Sequence, residues 1–66
     1  MSNTLTAHEI EILLSSARIG MRETARDYKI KEQTVRNTLA NVYRKLHARG
    51  MAHAILILSE GHHRGS

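Results

Sequence analysis

The sequence predicts an all-α fold, a compact domain of four short helices, and three observations predict it. Ala, Leu, Ile, Arg and Glu dominate its 66 residues, and there is no Pro, Trp or Phe. Good helix formers are abundant, and little aromatic material is left for a sandwich or barrel core. Apolar residues return at helical spacing in four separate stretches. Gly20 and the pair Arg49-Gly50 interrupt that pattern where one helix should end and another begin.

The first helix is announced by "LTAHEIEILL". Thr6 can cap it, with Glu9 three residues on completing a capping box, and Leu5 can staple against Ile10. Ile10, Leu13, Leu14 and Ala17 keep one face, so the helix is expected over about 7–17. After Gly20, Met21, Ala25 and Tyr28 repeat at i, i+4 and i+7, beside a basic stripe of Arg22, Arg26 and Lys29. That is a short amphipathic second helix.

"KIKEQTVRNTLANVYRKL" supplies the third, over about 31–46. On a helical wheel Leu39, Val42 and Leu46 fall within about 40° of Val35, with Tyr43 on the shoulder of this core stripe. The opposite face collects Gln33, Asn37, Ala40 and Arg44, with Arg36 at its edge, and one flank lines up Thr34, Thr38, Asn41 and Lys45. Amide and guanidinium groups suit base edges, while hydroxyls and ammonium groups suit phosphates.

"MAHAILILSE" forms the fourth helix, ending near Gly61. Ala48, Met51, Ile55 and Leu58 can point inward, whereas Ala54 and Ile57 lie well round the cylinder with Leu56 between the two sets. A helix apolar nearly all round has something to meet on both sides, and the second side is read as a dimer contact. A chain this short is marginal alone and has no cysteine to staple it, which makes a second copy the expected support. Residues 1–4 are expected to be a tail, 5–60 the domain and 61–66 a loose C-terminal tail.

The formal charge of +4 is concentrated. Residues 18–49 carry nine Lys/Arg against Glu23, Asp27 and Glu32. Such a basic middle points to a polyanion. The start of the chain lacks a secretory pattern, and "AILIL" at 54–58 is far too short to span a bilayer. A cytoplasmic protein with no membrane partner is expected.

A basic helix pair joined by a tight turn is the pattern of a helix-turn-helix. At this point the chain resembles the DNA-binding domain of the LuxR/GerE type over nearly all of residues 5–58. The resemblance rests on "LTAHEIEIL", "RETA", "TVRNTLANVYRKL" and the Ala54-Ile55 pair. It implies a stand-alone, four-helix domain whose third helix enters the major groove and whose fourth makes a homodimer contact through Met51, Ala54, Leu56 and Ile57. By position it implies base contacts from Arg36, Asn37 and Ala40, which the wheel extends to Gln33 and Arg44. Phosphate contacts are implied for Arg22, Thr34 and Thr38, to which Lys31 and Lys45 are added as further cations.

The chain departs from the family pattern at His8, Thr24, Lys29, Lys31 and Thr38, and its first connection is one residue shorter. Lys29 stands where glycine often ends the second helix, at a cost of about 1–2 kcal/mol if left-handed. Lys31 replaces a serine cap, forgoing about 1 kcal/mol.

Other chemistries find little material. Glu9 and Glu11 do not share a helix face, Ser15 and Ser16 have no base beside them in sequence, and no Gly-rich phosphate loop exists. No catalytic residue, cofactor or metal is expected; His53, His62 and His63 offer no fixed ligand geometry. Two tyrosines on different helices are poor material for stacking single strands or RNA bases. The expected function is sequence-specific, double-stranded DNA binding by a homodimeric transcriptional regulator. The alternative is a small anti-regulator whose fourth helix captures a larger LuxR-type relative; beside DNA and a second copy, a larger LuxR-type regulator or the transcription machinery is the further partner expected.

Overall fold

A capping box opens the first element. In the computed structural model, which describes the backbone of residues 5–64 and the side chains of 5–60, Thr6 accepts the Glu9 N–H at 3.1 Å. Glu9 in turn accepts the Thr6 N–H at 3.0 Å. The helix they start, α1, spans Ala7–Tyr28; α2 spans Glu32–Leu46 and α3 spans Met51–Arg64. Three helices therefore stand where four were expected, because the first two predicted helices run as one element. That element is not straight: Gly20 has φ 92° and ψ 161°, which is not helical. Side-chain contacts show how far the chain turns there. The Tyr28 hydroxyl donates to Glu11 at 3.3 Å, and the His8 and Tyr28 rings meet edge to face at 6.0 Å. A straight helix would hold His8 and Tyr28 about 30 Å apart. So α1 doubles back at Gly20 into two arms, 7–19 and 21–28.

The doubling back decides which face of each arm is buried. Ile12 and Leu13 are fully buried, and so are Ser15, Ser16 and Thr24 to within a few per cent. The expected first-arm face of Ile10, Leu13, Leu14 and Ala17 is corrected accordingly: Leu14 is 45 % exposed and Ala17 is exposed. The reason is polar. Ser15 and Thr24 share a hydrogen bond of 2.8 Å in the interior, so the returning arm draws Ser15 inward and satisfies the buried threonine; the buried Ser16 hydroxyl beside it has no hydrogen-bond partner among the described residues.

Both ends of the link into and out of α2 are left-handed without glycine. The Ile30 N–H donates to the Ala25 carbonyl at 2.9 Å and the Lys29 N–H to Arg26, with Lys29 at φ 56°. The Ala48 and His47 N–H groups repeat the pattern on Tyr43 and Arg44, with His47 also at φ 56°. These are Schellman closures. Lys31 caps α2 with no side-chain hydrogen bond. The departures at Lys29 and Lys31 thus carry the backbone consequences expected of them.

The α2 core stripe is as the spacing predicts, with Val35, Leu39 and Val42 buried and Leu46 half-buried. Most tertiary contact is between α1 and α2, and α3 closes the other side of the core. There the sequence reading is corrected: Ala54 is fully buried. Met51 and Ile57 are half-buried, and of the four residues assigned to a dimer contact only Leu56, 54 % exposed, faces outward. The small Ala54 lets α3 approach closely, and that rotates the helix so that most of its apolar excess is used inside the domain. Helix α3 also continues past Gly61 to Arg64. The expected tail at 1–4, the last two residues, and the His62 and His63 side chains lie outside the described residues. No described helix is long and apolar enough to cross a membrane.

Candidate nucleic-acid interface

The surface of interest is the side of α2 turned away from the core. Gln33, Arg36, Asn37, Ala40 and Arg44 are all exposed on it, and no large apolar side chain interrupts them. The structure therefore brings together all five residues expected to meet bases. Three links order them. Gln33 Nε2 donates to Asn37 Oδ1 at 3.0 Å, Arg44 Nη1 donates to Asn41 Oδ1 at 3.1 Å, and Arg36 Nη2 lies 3.1 Å from Glu32 Oε2. Exposed pairs of this kind are worth about 0.2–0.5 kcal/mol. A bidentate contact to a base edge is worth about 1–3 kcal/mol, so these links can orient the side chains without holding them from a ligand.

Of the residues expected at phosphates, Arg22, Lys31 and Thr34 are exposed and Thr38 is half-buried. Arg22, Lys29 and Lys31 have no ion-pair partner among the described residues. Arg22 begins the second arm beside Met21, which shares a notch with Arg36 and Ala40; the arm therefore starts against the outward side of α2. Two features were not legible as part of this surface. Met21 counted only as core, and Glu32 was not connected with Arg36, although their i,i+4 spacing signals it.

Lys45 is placed differently from expectation. Its ammonium lies 2.9 and 3.0 Å from the two carboxylate oxygens of Glu9, with the side chains only 28 % and 14 % exposed. The sequence reading put this lysine on the phosphate flank; the structure gives its charge to the capping-box carboxylate of α1. Nothing in local sequence signals a partner 36 positions away. The bridge ties the start of α1 to the end of α2 and fixes how the exposed face is presented.

Glu9 is held below its ordinary carboxyl value of 4.5, first by the Thr6 backbone N–H and then by Lys45. A carboxylate with a lowered folded-state pKa stabilises the fold above its unfolded value, and the contribution fades as pH falls through the folded one. Melting temperature is expected to drop as pH is lowered below 4.5. Glu9→Gln should flatten that part of the curve; a variant as acid-sensitive as the parent would show that Glu9 is not responsible.

The Arg49 N–H donates to His53 Nδ1 at 3.0 Å, so that ring supports the start of α3. Among the described residues no group of three or more His, Cys, Asp or Glu gathers to hold a metal ion.

No curated protein and no solved structure matches the chain. The family described as bacterial regulatory proteins, luxR family, matches residues 3–58, a span that takes in both arms of α1, the turn at 29–31, all of α2 and residues 51–58 of α3. The chain belongs to the luxR family of bacterial regulatory proteins.

Proposed function

We propose that this domain is a sequence-specific, double-stranded DNA-binding regulator of transcription, acting in the cytoplasm as a homodimer on two half-sites. The carrying observation is the outward face of α2, five exposed polar or small residues with cations at its rim. In this reading α2 lies in the major groove. Arg36 meets a guanine edge and Asn37 an adenine, with Gln33, Ala40 and Arg44 alongside. Arg22, Lys31, Thr34 and Thr38 position the helix on phosphates. Lys29 and Lys31, both locally unfavourable for the free fold, recover their cost only when a phosphate lies over the turn.

Selection from a random duplex pool at moderate salt tests this. Enrichment of a two-half-site sequence is expected. On that sequence, Arg36→Ala should cost about 1–3 kcal/mol and relax one base position per half-site. Equal weakening on every duplex would reduce Arg36 to an electrostatic role.

A second reading, capture of a larger luxR-family relative, is favoured by a groove of about 340 Å³ between α1 and α3, lined by Ile10, Leu14, Ile55, Leu58 and Ser59. Such a groove suits an apolar helix, as does the exposed Leu56. Co-elution with a relative's DNA-binding domain, at the expense of DNA binding by both, would support capture over direct regulation.

A further inference from the structure

Beside the polar face of α2 lies a feature that polar base contacts leave unused. Met21 at the start of the second arm, with Leu39 and Tyr43 of α2, forms a notch of about 250 Å³ whose lip is Arg36 and Ala40. Leu39 is buried, only 3 % exposed, while Met21 and Tyr43 are half-buried and the two lip residues are exposed. The notch is thus open on the same side as the residues proposed to meet bases. Its lining has one full charge, and that guanidinium stands at the rim.

Among the four bases only thymine carries an apolar projection into the major groove, the C5 methyl group. Cytosine and adenine present amino donors there, and guanine presents acceptors. The apolar part of the recess, a methionine, a leucine, the flank of the Tyr43 ring and an alanine methyl, gains nothing from those polar groups, but it can remove a methyl from water. Arg36 at the rim sets where the methyl must be, because a guanidinium paired with guanine reaches only the neighbouring base steps.

We propose that this notch receives the C5 methyl of a thymine within one base pair of the guanine met by Arg36, making Met21 and Ala40 specificity-determining residues. The proposal rests on the DNA-binding reading above and adds one base position to it. Tyr43, which charge and polarity assign to nothing, becomes a wall of the recess, its ring flank offered to the methyl.

The test uses the full chain and the duplex enriched from the random pool. Each thymine is replaced in turn by deoxyuridine, which deletes the methyl and nothing else, and affinities are compared. One thymine per half-site, adjacent to the Arg36-dependent guanine, is expected to lose about fourfold or more, the worth of one buried methyl. 5-Bromodeoxyuridine, whose bromine is of methyl size, should restore binding there. Met21→Ala should bring the thymine-to-uracil ratio at that position to about one. Ala40→Leu, at an exposed helical site, fills the recess, so that the uracil duplex binds at least as well as the thymine duplex. Thermal melts of both variants establish that they are folded, and Ala40→Leu serves if Met21→Ala is not. A bound duplex indifferent to every deoxyuridine overturns the notch alone. A methyl effect that survives both substitutions overturns it too, because the methyl is then read elsewhere. A pool that yields no enriched sequence overturns the DNA-reading function, and the notch with it.

Discussion

Ala54→Glu is expected to leave the chain unfolded at room temperature, whereas Leu56→Glu, two residues on, is expected to fold much as the parent does. Ala54 is fully buried between α3 and the core of α1 and α2; Leu56 is 54 % exposed. A carboxylate at Ala54 would have to be buried without a partner, or remain protonated and overpacked, and either costs several kcal/mol. Its position near the start of α3 would return only about 0.3–1 kcal/mol through the helix dipole. A domain of this length has a total stability of about 3–10 kcal/mol, so the burial term decides. Leu56 forfeits only its half-buried area. Circular dichroism and thermal melting check both. A folded Ala54→Glu chain that merely loses self-association would restore the sequence reading, in which Ala54 was an interface residue. In the proposed homodimer Leu56 carries the outward contact of α3, and folded Leu56→Glu should elute as a monomer and lose the paired half-site mode of DNA binding.

The contrast between those two residues shows where the sequence was legible. Along α2, apolar residues fall on one narrow stripe, so periodicity alone separates Val35, Leu39 and Val42 from the exposed Arg36, Asn37 and Ala40. Along α3, apolar residues surround the helix, and the wheel holds no information on which side meets the core. The packing of a methyl-sized side chain settled it, and that is a tertiary fact. The first arm failed for a related reason. Leu14 and Ala17 fit an apolar stripe, but the Ser15–Thr24 hydrogen bond turns a serine face inward, and hydrophobic periodicity does not register a polar pair that satisfies itself. Lys45 shows the limit for a site residue. Its place on the wheel beside Thr34 and Thr38 was correct as to flank, yet Glu9 reaches the same flank from the far end of the chain.

The free fold and the proposed function pull in different directions at one place, the turn between α1 and α2. Lys29 holds a left-handed backbone that glycine would adopt without strain, and Lys31 leaves the start of α2 without a side-chain cap. Together these departures cost about 2–3 kcal/mol of local stability, a substantial share for so small a domain. Both fall on exposed cations with no ion-pair partner among the described residues, in the turn that leads into α2. Local rules broken in this way, with charge concentrated where they break, are what a surface selected for binding looks like.

Gly20→Val is expected to lower stability by about 2–3 kcal/mol, a loss of roughly 10–20 °C in melting temperature. The first carbon of the side chain has room, because a Cβ built at Gly20 meets nothing within 4 Å. The cost lies chiefly in the backbone, whose φ of 92° and ψ of 161° belong to a region that only glycine adopts freely. A β-branched side chain is the least able to follow. Valine has one escape, to become helical and let the two arms run on as a single rod of about 33 Å. That rod would carry Thr24 away from Ser15, and Tyr28 away from Glu11 and His8, and it would remove the packing of Met21 and Tyr28 against the core. The straightened form is therefore a route to unfolding and not an alternative native state. Chirality supplies the decisive comparison. D-alanine at position 20, introduced by chemical synthesis of the chain, accepts the observed dihedrals as readily as an L-residue accepts their mirror image. It also removes freedom from the unfolded chain, and it is expected to match or exceed the parent by about 0.4–1 kcal/mol. If L-valine and D-alanine melted alike, the fold-back at Gly20 would not depend on its left-handed backbone, and the serine–threonine contact across the arms would have to direct it instead.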